Sequence, residues 1–175
     1  MKLVALVAGI ILAVTCIFYI ASNALPSWGQ LTVEGETGAY GLWKICGSGP
    51  GVKECISIKC PAATGDSSFC SKILAGRAFI TLACILSGIT TIFLFICAVI
   101  DEKISRILSL AAKVLAFVCV IMGIIGVGTG GSTLKTLSVG DFKFSFGAAS
   151  ILGIVAIIIN LVGAITSVFI KQSGT

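Results

Sequence analysis

Four apolar stretches, about 3–25, 78–100, 107–127 and 146–170, account for more than half of this 175-residue chain. Each reaches the roughly 20 helical residues needed to cross the hydrocarbon of a bilayer. None contains proline, and the only charged side chain within them is Lys113. In lipid every backbone polar group must be bonded internally, so such stretches fold as helices. The expected fold is therefore an α-helical membrane protein, a four-helix transmembrane bundle in a single domain over residues 1–175. The stretch 3–25 superficially resembles a signal peptide, with Lys2 ahead of it and Ser22, Asn23 and Ala24 near its end. Its apolar run exceeds the 7–15 residues usual for that role, so it reads as a retained span.

Composition excludes the main alternatives. Hydrophobic residues make up 57% of the chain and charged residues 11%, well short of the roughly 25% of a soluble domain. The net charge of +5 is scattered rather than gathered into a basic stripe, which argues against nucleic acid as a partner and leaves membrane lipid as the main one. Histidine is absent, no phosphate-binding glycine loop occurs, and no nucleophile–base pair can be assembled. The chain reads as a non-enzyme with no cofactor or metal. Glu34 and Glu36 read as solvated strand residues rather than a cation site.

Cysteines orient the chain. Cys46, Cys55, Cys60 and Cys70 all lie in the polar segment 26–77, whereas Cys16, Cys84, Cys97 and Cys119 lie singly within spans. Their C-x8-C-x4-C-x9-C spacing lacks the close pairs of zinc sites and reads as a disulfide framework in an oxidising compartment. The expected topology has extracellular loops at about 26–77 and 128–145, with the termini and the loop 101–106 in the cytosol. Residues 40–46 and 53–59 read as strands flanking the glycine-rich turn 47–51. Four cysteines permit three connectivities; a Cys46–Cys55 bond would lock this hairpin, leaving Cys60 and Cys70 to each other.

Other features concern packing. Ala83, Ser87 and Thr91, Gly126 and Gly130, and Ala149 and Gly153 recur four apart, the spacing that lets membrane helices approach closely. Asn160 is expected to hydrogen-bond between helices, and Lys113 to reach the interface along its aliphatic stem. The glycines between Gly123 and Gly131 are expected to loosen the end of the third helix.

The order Trp28, Gly41-Leu42-Trp43, Cys46, Cys55, placed after the first of four spans, resembles the W…GLW…C…C signature of the claudin and peripheral-myelin-protein superfamily. Arg77, just before the second span, also matches. The motif-level resemblance covers about residues 25–77. It implies a left-handed bundle carrying a small antiparallel extracellular β-sheet. Trp28, Gly41, Leu42, Trp43 and Arg77 would anchor that sheet, and Cys46–Cys55 would staple two of its strands. There are departures. Cys60 and Cys70 are additional to the signature, and the segment 129–145 lacks the aromatic-proline element of junctional members. Thr175 does not match the hydrophobic C-terminal residue by which many of them bind scaffold domains.

The resemblance implies a plasma-membrane protein at cell–cell junctions, associating with copies of itself in cis and in trans or with other claudin-like proteins. It would contribute to a paracellular barrier or permeability. Loop charges such as Lys53, Glu54, Lys59 and Asp66 would then tune selectivity, as rings of charge do in channels. The alternative is an auxiliary subunit that modulates an ion channel or receptor. A third reading is an adhesive, membrane-organising protein.

Overall fold

The computed structural model describes residues 2–33, 36–49, 52–60, 67–100, 102–137 and 145–170. Helix α1 (Lys2–Ala24) leads into strands β1 (Gly29–Val33), β2 (Glu36–Tyr40), β3 (Lys44–Gly49) and β4 (Val52–Ser57). Helices α2 (Ser67–Val99) and α3 (Glu102–Leu137) follow, then the two-residue strand β5 (Ser145–Phe146) and helix α4 (Ala148–Val168). All four helices are long and apolar enough to cross a membrane, and the chain is a multi-pass membrane protein. The strands form one antiparallel sheet in the order β4-β3-β2-β1-β5.

Each helix packs on two neighbours, α1 and α3 both contacting α2 and α4. Small side chains make this possible. Ala83, Ser87, Thr91, Ala149 and Gly153 are all buried, on faces set by their three- and four-residue spacing. Isoleucines such as Ile17, Ile121 and Ile158 face outward, where acyl chains rather than water solvate them. Three apolar clusters stack along the bundle axis. One around Ala8, Leu12, Leu94 and Ala116 lies far from the sheet, one around Tyr19, Ala83 and Cys119 lies midway, and one around Trp28, Leu42 and Ile80 lies beneath the sheet.

Several polar groups inside the bundle find local partners, as a low-dielectric interior favours, while the Ser22, Ser87 and Ser109 hydroxyls and Asn160 Oδ1 are buried without one. Thr15, Thr90 and Thr91 donate to carbonyls one turn back in their own helices. Cys119 donates to the Ala83 carbonyl at 3.2 Å. The Asn160 amide reaches the Tyr19 hydroxyl on α1 at 3.5 Å, an interhelical contact. Lys113 extends along its stem to the end of a neighbouring span. Its ammonium donates to the Ile170 carbonyl at 3.1 Å, just past the end of α4. A cation there complements the helix dipole.

The helix ends differ from those read in the sequence. Helix α2 begins at Ser67, not 78, and α3 runs from Glu102 through Leu137, so most of 101–106 and the first part of 128–145 are helical. At 1.5 Å per residue these 33- and 36-residue helices measure about 50 and 54 Å, against roughly 30 Å of hydrocarbon. Both project beyond it to carry the sheet. The glycines from 123 to 131 do not end α3, because three of them, Gly123 beneath Tyr19, Gly126 and Gly130, face inward under bulky partners. A Cβ at Gly126 would strike Ile80 at 2.8 Å, and one at Gly130 would strike the Trp28 ring at 2.5 Å. Tertiary packing here outweighs the low helix propensity of glycine. Strand boundaries also shift, since β2 ends at Tyr40 and β3 starts only at Lys44, with 41–43 forming a bend between them. The turn residues Pro50 and Gly51, Glu34, and Asp66 lie outside the described residues.

Candidate functional site at the joint of sheet and bundle

The link from α1 into β1 sits under the sheet and is held from three sides. Trp28 is fully buried, and its indole Nε1 donates to the Ser22 carbonyl at 2.7 Å. The N-terminus of α4 then clasps the same link. Gly147 N–H donates to the Trp28 carbonyl at 2.9 Å and Ala149 N–H to the Ser27 carbonyl at 3.0 Å. The Ser150 hydroxyl adds a second bond to Trp28 O at 2.9 Å. Helix N-termini leave backbone donors unpaired, and here another segment's carbonyls satisfy them. This proximity requires glycine at 147, where a Cβ would fall on the Ser27 carbonyl. Beside it, β5 pairs with β1 through Gly29 opposite Phe146 and Gln30 opposite Ser145.

The bend between β2 and β3 docks against the same link. A Cβ on Gly41 would approach the Pro26 Cα to 2.5 Å, so only glycine fits between these two backbones. Leu42 is fully buried with Ile73 and Ile80 of α2, inserting from the sheet into the bundle. Trp43 is half-exposed; its Nε1 donates to Asn23 Oδ1 at 2.9 Å, and Asn23 Nδ2 donates to Thr81 at 3.1 Å. The aromatic body with a polar edge is suited to a membrane boundary.

Arg77 on α2 ties the pieces together. Its Nε donates to the Leu42 carbonyl at 2.7 Å and a terminal nitrogen to the Ile58 carbonyl at 3.1 Å. The guanidinium also lies 4.8 Å from the Trp43 ring centroid, in cation–π contact. One side chain thus joins the β2–β3 bend, the end of the hairpin and an aromatic anchor.

Tyr40 and Thr133 complete the joint. Tyr40 is buried, and its hydroxyl bonds Thr133 on α3, which in turn donates to the Gly130 carbonyl. Burial pushes the Tyr40 phenol above its usual pKa, against smaller lowering effects from Thr133 and Arg77. Among the described residues no group of three or more His, Cys, Asp or Glu could hold a metal.

Two disulfides are present. Cys46 and Cys55 face each other across β3 and β4 with Cα atoms 4.1 Å apart. Cys60 bonds the buried Cys70 on α2 with a Cα separation of 5.7 Å, tying the hairpin's exit to the first turns of that helix. Of the loop charges, Glu54 and Lys59 are exposed on and beyond β4; the Lys53 side chain and all of Asp66 lie outside the described residues. Nothing described brings these charges into one cluster.

The sheet carries its own apolar row. Tyr40 lies opposite Ile45, which lies opposite Ile56, so the three share one face across β2, β3 and β4. Tyr40 is buried by the bundle, but Ile45 is 42% and Ile56 72% exposed. The face that seats the sheet therefore continues past the bundle and ends uncovered.

Sequence reasoning located Trp28, Gly41, Leu42, Trp43 and Arg77 but missed Asn23, Tyr40, Thr133, Gly147 and Ser150. Position 23 carried one signal, a polar amide at the last turn of an apolar helix. The α4 clasp carried none, because it depends on residues about 120 positions apart. No protein-family model and no curated protein matches the chain.

Proposed function

We propose that this is a claudin-like protein of cell–cell contacts, presenting its stapled sheet outside the cell for association with copies of itself. The proposed place is the plasma membrane, with both termini and the α2–α3 turn in the cytosol. The observation that carries this reading is the bare apolar row of Ile45 and Ile56 on a sheet rigidly fixed to a membrane bundle. An exposed apolar strip on an anchored element marks an association surface more readily than a solvated one. The resemblance of Trp28, Gly41-Leu42-Trp43, Cys46 and Cys55 to the superfamily's signature supports the same reading. So does the disulfide pair, which suits an oxidising exterior.

In this role the bundle holds the sheets of neighbouring molecules at one height above the membrane. Sheets of one cell meet those of the next, and the layer limits what passes between them. Among the described charges, the exposed Glu54 and Lys59 on and beyond β4 would be available to bias small ions, as would Lys44 on β3.

Expression in cells that lack junction strands tests the reading. The protein should accumulate at cell contacts and change transepithelial resistance, and Ile56→Glu should abolish both while leaving surface delivery intact. Uniform surface distribution with unchanged resistance would refute it. Co-purification with a single ion channel at fixed stoichiometry would replace it with the auxiliary-subunit reading.

A further inference from the structure

A groove of about 570 Å³ opens where the sheet overhangs α1 and α2, within the roughly 300–1,000 Å³ range of small-molecule sites. Its lower walls are apolar: Ile20 and Ala24 of α1, and Cys84 of α2. Pro26 and Trp43 form its upper part, and Lys44 stands at the rim. Ile20 lies four residues below Ala24, so the groove descends about 6 Å, one helical turn, along a helix that crosses the membrane. It is therefore open to the lipid phase at the depth where headgroup gives way to acyl chain.

Its polar groups are graded in the same direction. Lys44 is exposed at the top, and the Arg77 guanidinium lies behind the Trp43 ring, adding a second positive charge. No acidic residue lines the groove among the described residues. Asn23 comes next. Its Oδ1 accepts from Trp43, and one amide hydrogen goes to Thr81. A primary amide has two such hydrogens, so one remains for an ester carbonyl. Below Asn23 only apolar side chains and the Cys84 thiol follow. Cation, hydrogen-bond donor, then hydrocarbon is the order of partners that a glycerophospholipid presents from phosphate to ester to chain.

We propose that this groove is a binding site for an anionic phospholipid, with the phosphate on Lys44, an ester carbonyl at Asn23, and the upper methylenes between α1 and α2. The occupant would lie against the face of the β3–β4 hairpin that carries Lys44 and Cys55, opposite the face of Ile45 and Ile56. The site follows from the groove alone and does not depend on the role of the sheet in cell contacts.

Tryptophan quenching tests it, because Trp43 lines the groove at 45% exposure while Trp28, the other indole of the chain, is fully buried. The protein is reconstituted in phosphatidylcholine vesicles containing phosphatidylglycerol brominated on its upper acyl carbons. Quenching should saturate at a low mole fraction, reporting a preference of about fivefold over the host lipid, the order expected for one basic side chain at an anionic headgroup. Lys44→Gln should abolish that preference. Ala24→Phe, which fills the groove from an exposed position, should remove the saturable component; a retained Cys46–Cys55 bond on non-reducing gels reports that each variant folds. Quenching that rises only in proportion to bulk mole fraction, or that is unaffected by Lys44→Gln, would overturn the proposal.

Discussion

Replacing Arg77 by Met removes a charged fork while keeping an unbranched stem of similar reach. The change strikes three contacts at once: the bonds to Leu42 O at 2.7 Å and Ile58 O at 3.1 Å, and the stack on Trp43 at 4.8 Å. Hydrogen bonds to charged donors contribute roughly 1.5–3 kcal/mol each, and an exposed cation–π contact about 0.5–1 kcal/mol. Arg77 is partly exposed, so water can reach its abandoned partners and the lower end of each range applies. The sum is about 3.5 kcal/mol, equivalent to several hundredfold in an opening equilibrium. That loss falls on the attachment of the sheet and not on the helices. The reporters are the Ile58 amide, bonded to Trp43 O at 2.9 Å, and the Gly41 amide, bonded to Lys44 O at 2.8 Å. Hydrogen exchange of peptides spanning these amides should accelerate by several hundredfold in Arg77→Met and about tenfold in Arg77→Lys, which keeps the charge without the planar fork. Exchange within α1 and α4 should not change. Acceleration at Ile58 of less than about threefold, or an equal change throughout the bundle, would show that Arg77 does not hold the joint.

Four further outcomes follow from the same geometry. Gly41→Ala should disrupt folding and surface delivery, because its Cβ would meet the Pro26 backbone, whereas Gly47→Ala, with nothing within 4 Å, should be tolerated; surface biotinylation distinguishes the two. Replacing Cys60 and Cys70 together by Ser should cost about 2–3 kcal/mol locally by the chain-entropy estimate, seen as protease cleavage ahead of α2 while the Cys46–Cys55 bond persists. Asn160→Leu should shift stability by less than about 1 kcal/mol, since one long interhelical bond in a membrane contributes little; thermal unfolding in nanodiscs measures it. The raised Tyr40 pKa means that folding favours the neutral phenol. The stability this gives is fully present below about pH 10, the unfolded value, and falls as pH rises through the folded pKa; Tyr40→Phe should flatten that alkaline loss in wild-type-minus-mutant unfolding curves.

The sheet illustrates how far local pattern reaches. The hairpin β3–β4 was legible because glycine-rich residues separate two short alternating runs, and two cysteines flank the turn at matching distances. β1 and β2 left weak traces, with Gly and Thr diluting the alternation. β5 left none, since two residues form a strand only when a partner backbone is already in place. Of the site residues, Trp28, the Gly-Leu-Trp run and Arg77 stood out by type and order, while Ser150 and Gly147 looked like unremarkable residues at a helix start.

What the sequence determined by itself was the membrane as solvent, the number of spans and the presence of a cysteine-rich polar segment. These follow from one-dimensional quantities: run length, charge density and the clustering of one residue type. Where each helix stops, and what the glycines of α3 are for, was decided only by tertiary contact. A run of glycines reads as a helix end in isolation, yet Ile80 and the Trp28 ring occupy the space that side chains at 126 and 130 would have taken. Close approach between segments distant in the chain is a property of the assembled volume, and no local window of sequence contains it.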